Sequence, residues 1–314
     1  MLKRVKAFAP ATVANISCGF DILGFAIDKP GDEAVVSLSE KPGITIKNIF
    51  GNKSSLSFDI EKNCATVPII EYLKHFGLEK NIGIELELYK NLPLSSGMGS
   101  SAASSVVGVY AVNHLLGNKI TKNELLPFIL MGEELACGCP HADNAAPSLL
   151  GGITLIREYQ PLDIVDIDFP ESLYCTLIHP HIKIDTFTAR NILPKSIPLY
   201  VHVKQSGNIA GLITGFLKKD ISLIQRSFKD IIVEPIRSEL IPLFDNLKEA
   251  ALVEGALGCS ISGSGPSVFA LSNSFEIANK IAESMSNIYD SSNNKYDIFV
   301  SKINKAGAVI LEEE

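Results

Sequence analysis

The chain has 314 residues, of which 46% are hydrophobic and 20% are charged, and its formal net charge is −7. This length suffices for two ordinary domains with full hydrophobic cores. The acidic balance, with no run of Lys and Arg longer than two residues, argues against a nucleic-acid-binding surface, which needs a basic stripe to neutralise phosphates.

Neither a targeting signal nor a disulfide framework is predicted. The first ten residues contain too short an apolar stretch for a signal peptide, and no window is long enough for a membrane-spanning helix. The Cys-Gly-Cys spacing at 137–139 is too tight for the usual CxxC metal or redox pair. We therefore expect a reducing cytoplasm, no membrane or nucleic-acid partner, and buried reduced thiols at Cys18, Cys64, Cys137, Cys139, Cys175 and Cys259.

The first part of the chain predicts strands of a sheet with one exposed face. Strands are expected at residues 4–9 and 33–38, joined by a Gly-rich connection at 15–28 that is unusually apolar for a loop. Residues 82–89 alternate between apolar and mostly polar side chains. Such alternation is typical of an antiparallel sheet with one face in water.

Two helices follow. Residues 100–116 are apolar on nearly all sides and are closed by Gly117, which predicts a buried helix with a glycine stop. Thr121 and Glu124 form a capping-box pattern, which predicts a second helix that runs to about residue 136.

The pattern changes near residues 163–170, and we predict an N-terminal domain of residues 1–165 and a C-terminal domain of residues 166–314. Strands and helices interleave without strict βαβ alternation, which favours an α+β fold over a doubly wound parallel sheet. In the second half we expect strands at 173–179, 259–271 (a strand–loop–strand), 297–301 and 308–311, and helices at 208–217, 221–229, 239–257 and after Ser274.

The most informative segment is the glycine-containing stretch between the 82–89 strand and the first helix. Glycines at 97 and 99 allow a backbone to approach a ligand closely, and the helix that opens at Ser100 offers free N–H groups and a positive dipole end to a polyphosphate. A hydroxyl at Ser101 could ligate Mg²⁺ beside the phosphates. The predicted ATP-binding residues are Pro93, Leu94, Ser95, Ser96, Gly97, Met98, Gly99, Ser100, Ser101, Ala102 and Ala103.

Three other interpretations of this segment compete. A Walker A loop would need a lysine after Gly99, and none is present. A dinucleotide fingerprint fits Gly97-x-Gly99-x-x-Ala102 loosely, but the preceding strand is half exposed and no acidic residue follows about 20 positions on. A helix start with glycines for a tight turn is the third. The motif alone favours phosphate binding over these three interpretations.

Three ordered motifs resemble those of the GHMP kinase superfamily, named for its galactokinase, homoserine kinase, mevalonate kinase and phosphomevalonate kinase members. They are APATVANISCGFDILGFAI near the N-terminus, PLSSGMGSSAA in the middle and GCSISGSGPSVFAL in the last third. The resemblance spans almost the whole chain. It implies an N-terminal domain like ribosomal protein S5 domain 2 and a ferredoxin-like C-terminal domain, with ATP between them.

One acidic residue lies on an apolar stripe. Leu126, Ile129, Leu130 and Glu133 share one helix face, whereas Glu134 is rotated to a flank. A buried carboxylate needs a partner, which without context would be a backbone N–H or a lysine. The resemblance implies that Glu133 ligates Mg²⁺.

Residues 141–152, 186–194 and 234–244 resemble the homoserine kinase branch of the superfamily, which implies L-homoserine as acceptor, ATP as donor and a homodimer. Two arginines, Arg190 and Arg237, suit the acceptor carboxylate, and Asp21 suits the ammonium or the hydroxyl. Further candidates for this pocket are Asn15, His141, Asn144, Thr186 and His202. Taken singly, such an arginine is usually a surface ion pair and such a histidine a structural residue.

Phosphoryl transfer depends mainly on positioning and charge neutralisation. Many superfamily members have an Asp at the position of Asp143 that is viewed as a base, beside a lysine in the first motif. Here that stretch has Thr12 and Asn15 and no lysine, so we expect no committed base. The catalytic candidates are Asn15 and Asp21, which would orient the acceptor oxygen, with Asn144 and Asp143.

Two alternatives remain open. The first is another small-molecule kinase of the superfamily, of the mevalonate or shikimate type. The second is a catalytically silent ATP-binding regulatory protein, against which Ser101, Glu133, Asn144 and both arginines argue. The glycine loop at 262–266 is expected to support the site without carrying chemistry.

Overall fold

The computed structural model describes residues 2–51, 56–292 and 294–314. The strands in these ranges are β1 (Arg4–Ala14), β2 (Leu23–Ser39), β3 (Gly43–Gly51), β4 (Gly83–Lys90), β5 (Ile153–Tyr159), β6 (Leu162–Ile167), β7 (Tyr174–Pro180), β8 (Gly258–Ile261), β9 (Val268–Ser272), β10 (Tyr296–Lys302) and β11 (Val309–Glu313). The α-helices are α1 (Val67–His75), α2 (Ser100–Leu115), α3 (Lys122–Cys137), α4 (Ala142–Leu150), α5 (Thr186–Asn191), α6 (Leu199–Lys218), α7 (Ile221–Ser227), α8 (Glu234–Arg237), α9 (Phe244–Val253) and α10 (Phe275–Ser291).

The larger sheet has seven strands, with the order β11-β1-β2-β4-β3 and with β5 and β6 continuing from β2. Among the described strands, only β3 and β4 pair in parallel. The last strand of the chain lies beside the first, with Phe8 opposite Val309. Both ends of the chain therefore belong to one sheet.

Helices α2 and α4 pack on β1 and β2, and α1 and α3 pack on α2. Because α2 is surrounded by sheet and helices, its apolar residues are buried on every side, as its sequence predicts. The connection between β4 and α2, residues 91–99, leads into this buried helix.

The smaller sheet has the order β10-β7-β9-β8 and is antiparallel throughout. One face contributes Phe269 to the main core, where its ring lies edge-on to Phe25 with centroids 5.8 Å apart. The other face is covered by α9 and α10, which enclose a second core that includes Ile281 and Met285. Both faces of this sheet are therefore buried.

The α+β prediction and several element predictions are confirmed. The capping box of Thr121 and Glu124 opens α3, and Ser274 caps α10 by accepting the N–H of Ile277. The burial of β4 alternates as its sequence predicts. All six cysteines are free, as expected, but the prediction that all six are buried was wrong, because Cys64, Cys137 and Cys139 are partly exposed. No helix in the described part of the chain is long and apolar enough to cross a bilayer.

Other element boundaries were wrong. The connection predicted at 15–28 is a strand from Leu23 onward, because this stretch pairs with both β1 and β5 and is buried on both faces. The single helix predicted at 239–257 is broken by Pro242 and by Leu243, whose φ of 60° leaves the helical region.

The proposed division of the chain near residue 165 falls within β6, which pairs with β5 of the larger sheet. Strand β11, which lies in the predicted C-terminal domain, also joins that sheet. The domain division at this residue therefore stays a prediction.

Candidate active site

A cavity of about 430 Å³ opens where loops from both sheets meet. Its walls come from the phosphate loop with the first turn of α2, from α3, from the start of α4, and from the segment 15–21 after β1. Further walls come from α5, α8, the glycine loop 262–266, the segment 56–64 and Lys90 at the end of β4. Segments far apart in the sequence thus share one site.

The predicted phosphate loop lines one end of this cavity. Gly97 and Gly99 have φ values of 75° and 66°, and Gly99 is the residue that precedes the first turn of α2. A side chain on Gly97 would collide with the carbonyl oxygen of Ser262, and one on Gly99 with the hydroxyl of Thr12. Both positions therefore require glycine.

The loop does not present all of its predicted residues to the cavity. Met98, Ala102 and Ala103 are fully buried in the core, and Pro93 does not line the cavity. The three buried side chains support the loop from the core and are not suited to contact a nucleotide, whereas Pro93 is half-buried. The residues that do line the cavity are Leu94, Ser95, Ser96, Gly97, Gly99, Ser100 and Ser101.

A buried ion pair beneath the loop was not predicted. The ammonium of Lys90 pairs with Asp32 and also donates to the carbonyl oxygen of Ser100, at 2.6 Å, and to the hydroxyl of Ser104, at 2.8 Å. All three donors of the ammonium are used. Lys90 therefore fixes the first turn of α2 from inside. Its position on the apolar face of β4, in step with Leu86 and Leu88, was the available signal.

Glu133 lies in the cavity wall on α3 and is 2% exposed, whereas Glu134 is exposed. The pattern prediction that Glu133 is the buried glutamate is confirmed. Its Oε1 has no hydrogen-bond partner. Burial raises the pKa of Glu133 to about 7, a shift that the hydrogen bond from Ser101 opposes. An unpartnered, buried carboxylate oxygen beside a hydroxyl is suited to a cation.

The other end of the cavity combines the segment 15–21 with α8. The side-chain amide of Asn15 donates to the carbonyl oxygen of Gly263 at 2.8 Å, and its carbonyl oxygen accepts the N–H of Asp21 at 3.1 Å. Arg237 donates to the carbonyl oxygens of Gly263 and Ala189, each at 3.0 Å. These bonds leave Asp21 and Arg237 facing the same space.

Arg190 of α5 closes this end of the cavity. One of its guanidinium nitrogens lies 2.7 and 2.9 Å from the two carboxylate oxygens of Asp21. Burial lowers the pKa of Arg190, but the hydrogen bond and charge of Asp21 outweigh burial, and the net shift is upward. Burial lowers the pKa of Arg237 to about 10, and it stays charged at neutral pH. The pocket thus holds two cations and one anion.

Phe20 organises both arginines and was also missed. The guanidinium carbons of Arg190 and Arg237 lie 5.4 and 5.2 Å from the centroid of its ring, within the range of cation–π attraction. The ring thus attracts both like-charged groups. An aromatic residue between Gly19 and Asp21 in a functional segment was the signal that could have found it.

Asp143 and Asn144 open α4 at the centre of the cavity. Asn144 accepts the hydroxyl hydrogen of Thr12 at 2.8 Å. Asp143 is 3% exposed and its Oδ1 has no partner. Burial raises the pKa of Asp143 to about 8, and the charges of Asp21 and Glu133 add to this shift. Asp143 is therefore mainly protonated at pH 7.

The structure brings two of the three weaker candidates to the cavity. His141 lies 4.0 Å from Asp21, but burial lowers the pKa of His141, so the contact is not an ion pair at pH 7. Thr186 lies 3.3 Å from the hydroxyl of Ser264. His202 lies exposed on α6 and does not line the cavity, because this turn of the helix faces solvent. Its placement in the pocket was wrong.

Two family models match the chain: "GHMP kinases N terminal domain" over residues 63–152 and "GHMP kinases C terminal" over residues 212–291. The chain belongs to the GHMP kinase family. The prediction from the three motifs is thereby confirmed, and so is the two-domain fold that it implied.

Within this family, the chain is similar to homoserine kinases over almost its full length. The chain is 48% identical to a homoserine kinase from Chlorobium phaeobacteroides, over 99% of this chain and 100% of that one. It is 39% identical to a homoserine kinase from Arabidopsis thaliana, over 90% and 77% of the two chains. The crystal structure of homoserine kinase from Cytophaga hutchinsonii superposes on this chain with a TM-score of 0.96 at 55% sequence identity. The superposition covers 99% of this chain and 98% of that one.

Proposed function

We propose that the protein transfers the γ-phosphoryl group of ATP to the side-chain hydroxyl of L-homoserine, giving O-phospho-L-homoserine and ADP, a step of threonine biosynthesis. The observation that carries the proposal is one cavity with a helix N-terminus at one end and, at the other, Arg237 together with Arg190, which is paired with Asp21. The full-length likeness to homoserine kinases supports it.

The donor end would receive the triphosphate of ATP. Gly97, Gly99, Ser100 and Ser101 line the cavity, so the N–H groups at the start of α2 would be available to phosphate oxygens. Lys90 holds this turn in place from below, and Asp32 neutralises its charge. The helix N-terminus itself attracts phosphate.

Ser101 and Glu133 would hold Mg²⁺ at this end. The fit rests on the unpartnered Oε1 of Glu133 and on the adjacent hydroxyl. The described residues contain no group of three or more His, Cys, Asp or Glu that could hold a metal, in keeping with Mg²⁺ that takes one carboxylate and several phosphate oxygens. When bound, Mg²⁺ neutralises charge on the β- and γ-phosphates.

At the acceptor end, L-homoserine carries a carboxylate, an ammonium and a hydroxyl. Arg190 and Arg237 would bind the carboxylate through charge-assisted hydrogen bonds. Asp21 would bind the ammonium or contact the hydroxyl. The zwitterion would thus replace part of the existing pairing between Arg190 and Asp21. The polar groups that complete this pocket are Asn15, His141, Asn144 and Thr186.

The reaction forms a bond between the acceptor oxygen and the γ-phosphorus and breaks the bond between that phosphorus and the β,γ-bridging oxygen. Asn15 and Asp21 would orient the acceptor oxygen. Because burial raises the pKa of Asp143, the hydroxyl proton would pass to the phosphoryl group. This supports a mechanism without a committed base.

We further propose that the protein works as a homodimer in the cytoplasm. Exposed apolar side chains on α5 and the first turns of α6, namely Phe187, Leu199, Tyr200 and Val203, would be shielded in such an assembly. Size-exclusion chromatography with light scattering tests it, with twice the mass of 33.9 kDa expected. A mass of one chain at micromolar concentration would rule out the dimer.

An ADP-release assay with purified protein, Mg²⁺ and ATP tests the activity. L-homoserine, mevalonate and shikimate are supplied separately, and only L-homoserine is expected to stimulate ADP release. Preference for mevalonate or shikimate would indicate another kinase of the family. ATP binding without turnover of any acceptor would indicate a regulatory protein.

A further inference from the structure

A buried hydrogen-bond network lies behind the acceptor end of the cavity. It centres on Gln205 of α6 and on Asp230, which precedes α8. They are 5% and 6% exposed, and neither lines the cavity. Neither residue therefore contacts substrate in the proposed function.

The amide of Gln205 connects two distant segments. Its Nε2 donates to the carbonyl oxygen of Cys18 at 3.1 Å and to Asp230 at 2.9 Å, and its Oε1 accepts the N–H of Ile231 at 3.1 Å. Cys18 lies in the middle of the segment that begins at Asn15 and ends at Asp21. Gln205 thus attaches this segment to the chain that leads into α8.

Asp230 fixes the start of α8. Its carboxylate accepts the backbone N–H groups of Ile232, Val233 and Glu234 at 2.9, 3.1 and 2.9 Å. Helix α8 ends at Arg237, one of the two cations of the acceptor pocket. A buried carboxylate that accepts several N–H groups holds the backbone rigidly. Asp230 therefore fixes the position of the α8 backbone from which the side chain of Arg237 extends.

We propose that Gln205 and Asp230 are positioning residues that set the distance between Asn15 and Arg237, and hence the affinity for the acceptor; this inference rests on the proposed function. Asn15 and Arg237 must both reach the carbonyl oxygen of Gly263. A shift of either backbone breaks one of these bonds. Small misplacements of binding groups are costly, because affinity requires all contacts at once.

The test compares substrate affinities in Gln205→Met, which keeps the length of the side chain and removes its hydrogen bonds. KM for L-homoserine is expected to rise about tenfold, while KM for ATP changes less than about twofold. A purely structural role would lower the melting temperature and leave both KM values unchanged, and that result would overturn the proposal.

Asn113→Leu is the matched control. Asn113 is a buried amide on α2 that accepts from the hydroxyl of Tyr72, at 2.8 Å, and donates to the carbonyl oxygen of Ile120, at 2.9 Å, away from the cavity. The substitution Asn113→Leu is expected to lower the melting temperature without raising KM for L-homoserine. An equal rise of KM in this control would also contradict the proposal.

A paired substitution separates the two bonds of the Gln205 amide. In Gln205→Glu with Asp230→Asn, the two side chains can again share a hydrogen bond, but position 205 cannot donate to Cys18. We expect the melting temperature to recover relative to Gln205→Glu alone, while KM for L-homoserine stays raised. Full recovery of KM would show that the bond to Cys18 does not position the acceptor segment.

The test remains decisive if the variant does not fold or if the wild-type protein is inactive. If Gln205→Met does not fold, Asp230→Asn gives the same KM comparison, since it keeps one carbonyl oxygen for the N–H groups of α8. If the wild-type protein does not phosphorylate L-homoserine, the proposed function fails and this inference fails with it. If the wild type is active and KM is unchanged in the variants, only this inference fails.

Discussion

Asn15 and Arg237 donate hydrogen bonds to one and the same atom, the carbonyl oxygen of Gly263, at 2.8 and 3.0 Å. The three residues come from the segment after β1, from α8 and from the loop between β8 and β9. The acceptor end of the cavity therefore forms only when these segments meet. Gly263 has a φ of 57°, a conformation that glycine adopts without strain.

Replacing the groups that orient the acceptor oxygen tests the catalytic assignment. Asn15→Ala and Asp21→Ala are each expected to lower kcat with L-homoserine at least about tenfold, because each loses contacts that align the hydroxyl. Initial rates at saturating ATP measure this. Asn279→Ala and Asp290→Ala, both on α10, are the controls and should keep wild-type kcat. Wild-type kcat in both site variants would refute the assignment.

The cation–π contacts of two guanidinium groups with Phe20 predict that replacing this ring selectively lowers the affinity for the acceptor. In Phe20→Leu the aromatic ring is lost, so Arg190 and Arg237 both lose their cation–π contact with this residue. KM for L-homoserine should rise about fivefold to tenfold with KM for ATP unchanged. Phe20→Tyr should behave as wild type.

The control for Phe20 is Phe275→Leu, which removes a ring that is 56% exposed and outside the cavity. It should change neither KM. If Phe20→Leu bound L-homoserine as well as the wild type does, the aromatic ring would have no positioning role.

Neighbouring glutamates allow a clean test of the metal ligand. Glu133→Gln should raise the Mg²⁺ concentration needed for half-maximal velocity at least about tenfold, because a carboxylate ligand is lost. The adjacent and exposed Glu134→Gln should leave the Mg²⁺ dependence unchanged. Equal effects of the two substitutions, or none in either, would contradict a metal site at Glu133.

The substitution Asp143→Asn tests whether Asp143 acts as a general base or stays a protonated, buried acid. Because burial raises the pKa of Asp143 to about 8, we expect kcat at pH 7 to fall less than about fivefold, whereas loss of a general base lowers rates about 100-fold to 10,000-fold. Rapid-quench measurement of the phosphoryl-transfer step decides between these. A loss of the larger size would mean that Asp143 accepts the proton.

The same substitution predicts a pH-dependent change in stability. Between its ordinary pKa of 3.8 and the raised pKa of about 8, folded Asp143 keeps a proton that the unfolded chain has released. Stability of the wild type therefore falls across this window as pH rises. The gain in melting temperature of ligand-free Asp143→Asn should be larger at pH 8 than at pH 5. A gain that is constant or shrinks would contradict the shift.

Local patterns predicted the positions of the glycine loop before α2 and of the buried glutamate on α3. The spacing of Gly97 and Gly99 before an apolar helix and the place of Glu133 on a helical stripe are features of short segments. Such features depend on helix geometry and backbone conformation, which neighbours in sequence determine.

Contacts between distant segments were not predictable in the same way. Lys90 and Asp32 are separated by 58 positions, and Gln205 and Cys18 by 187. No periodicity relates such pairs, because they meet only through the order of the strands. The same limit explains His202, whose position relative to the cavity depends on which turn of α6 faces solvent.

Phosphorus NMR of a mixture of protein, Mg²⁺, ATP and L-homoserine tests the proposed reaction most directly. We expect the reaction to give ADP and one new phosphomonoester signal, split by the two protons of the side-chain methylene that bears the oxygen. Inorganic phosphate as the sole product besides ADP, or a phosphate on any other group of homoserine, would contradict it.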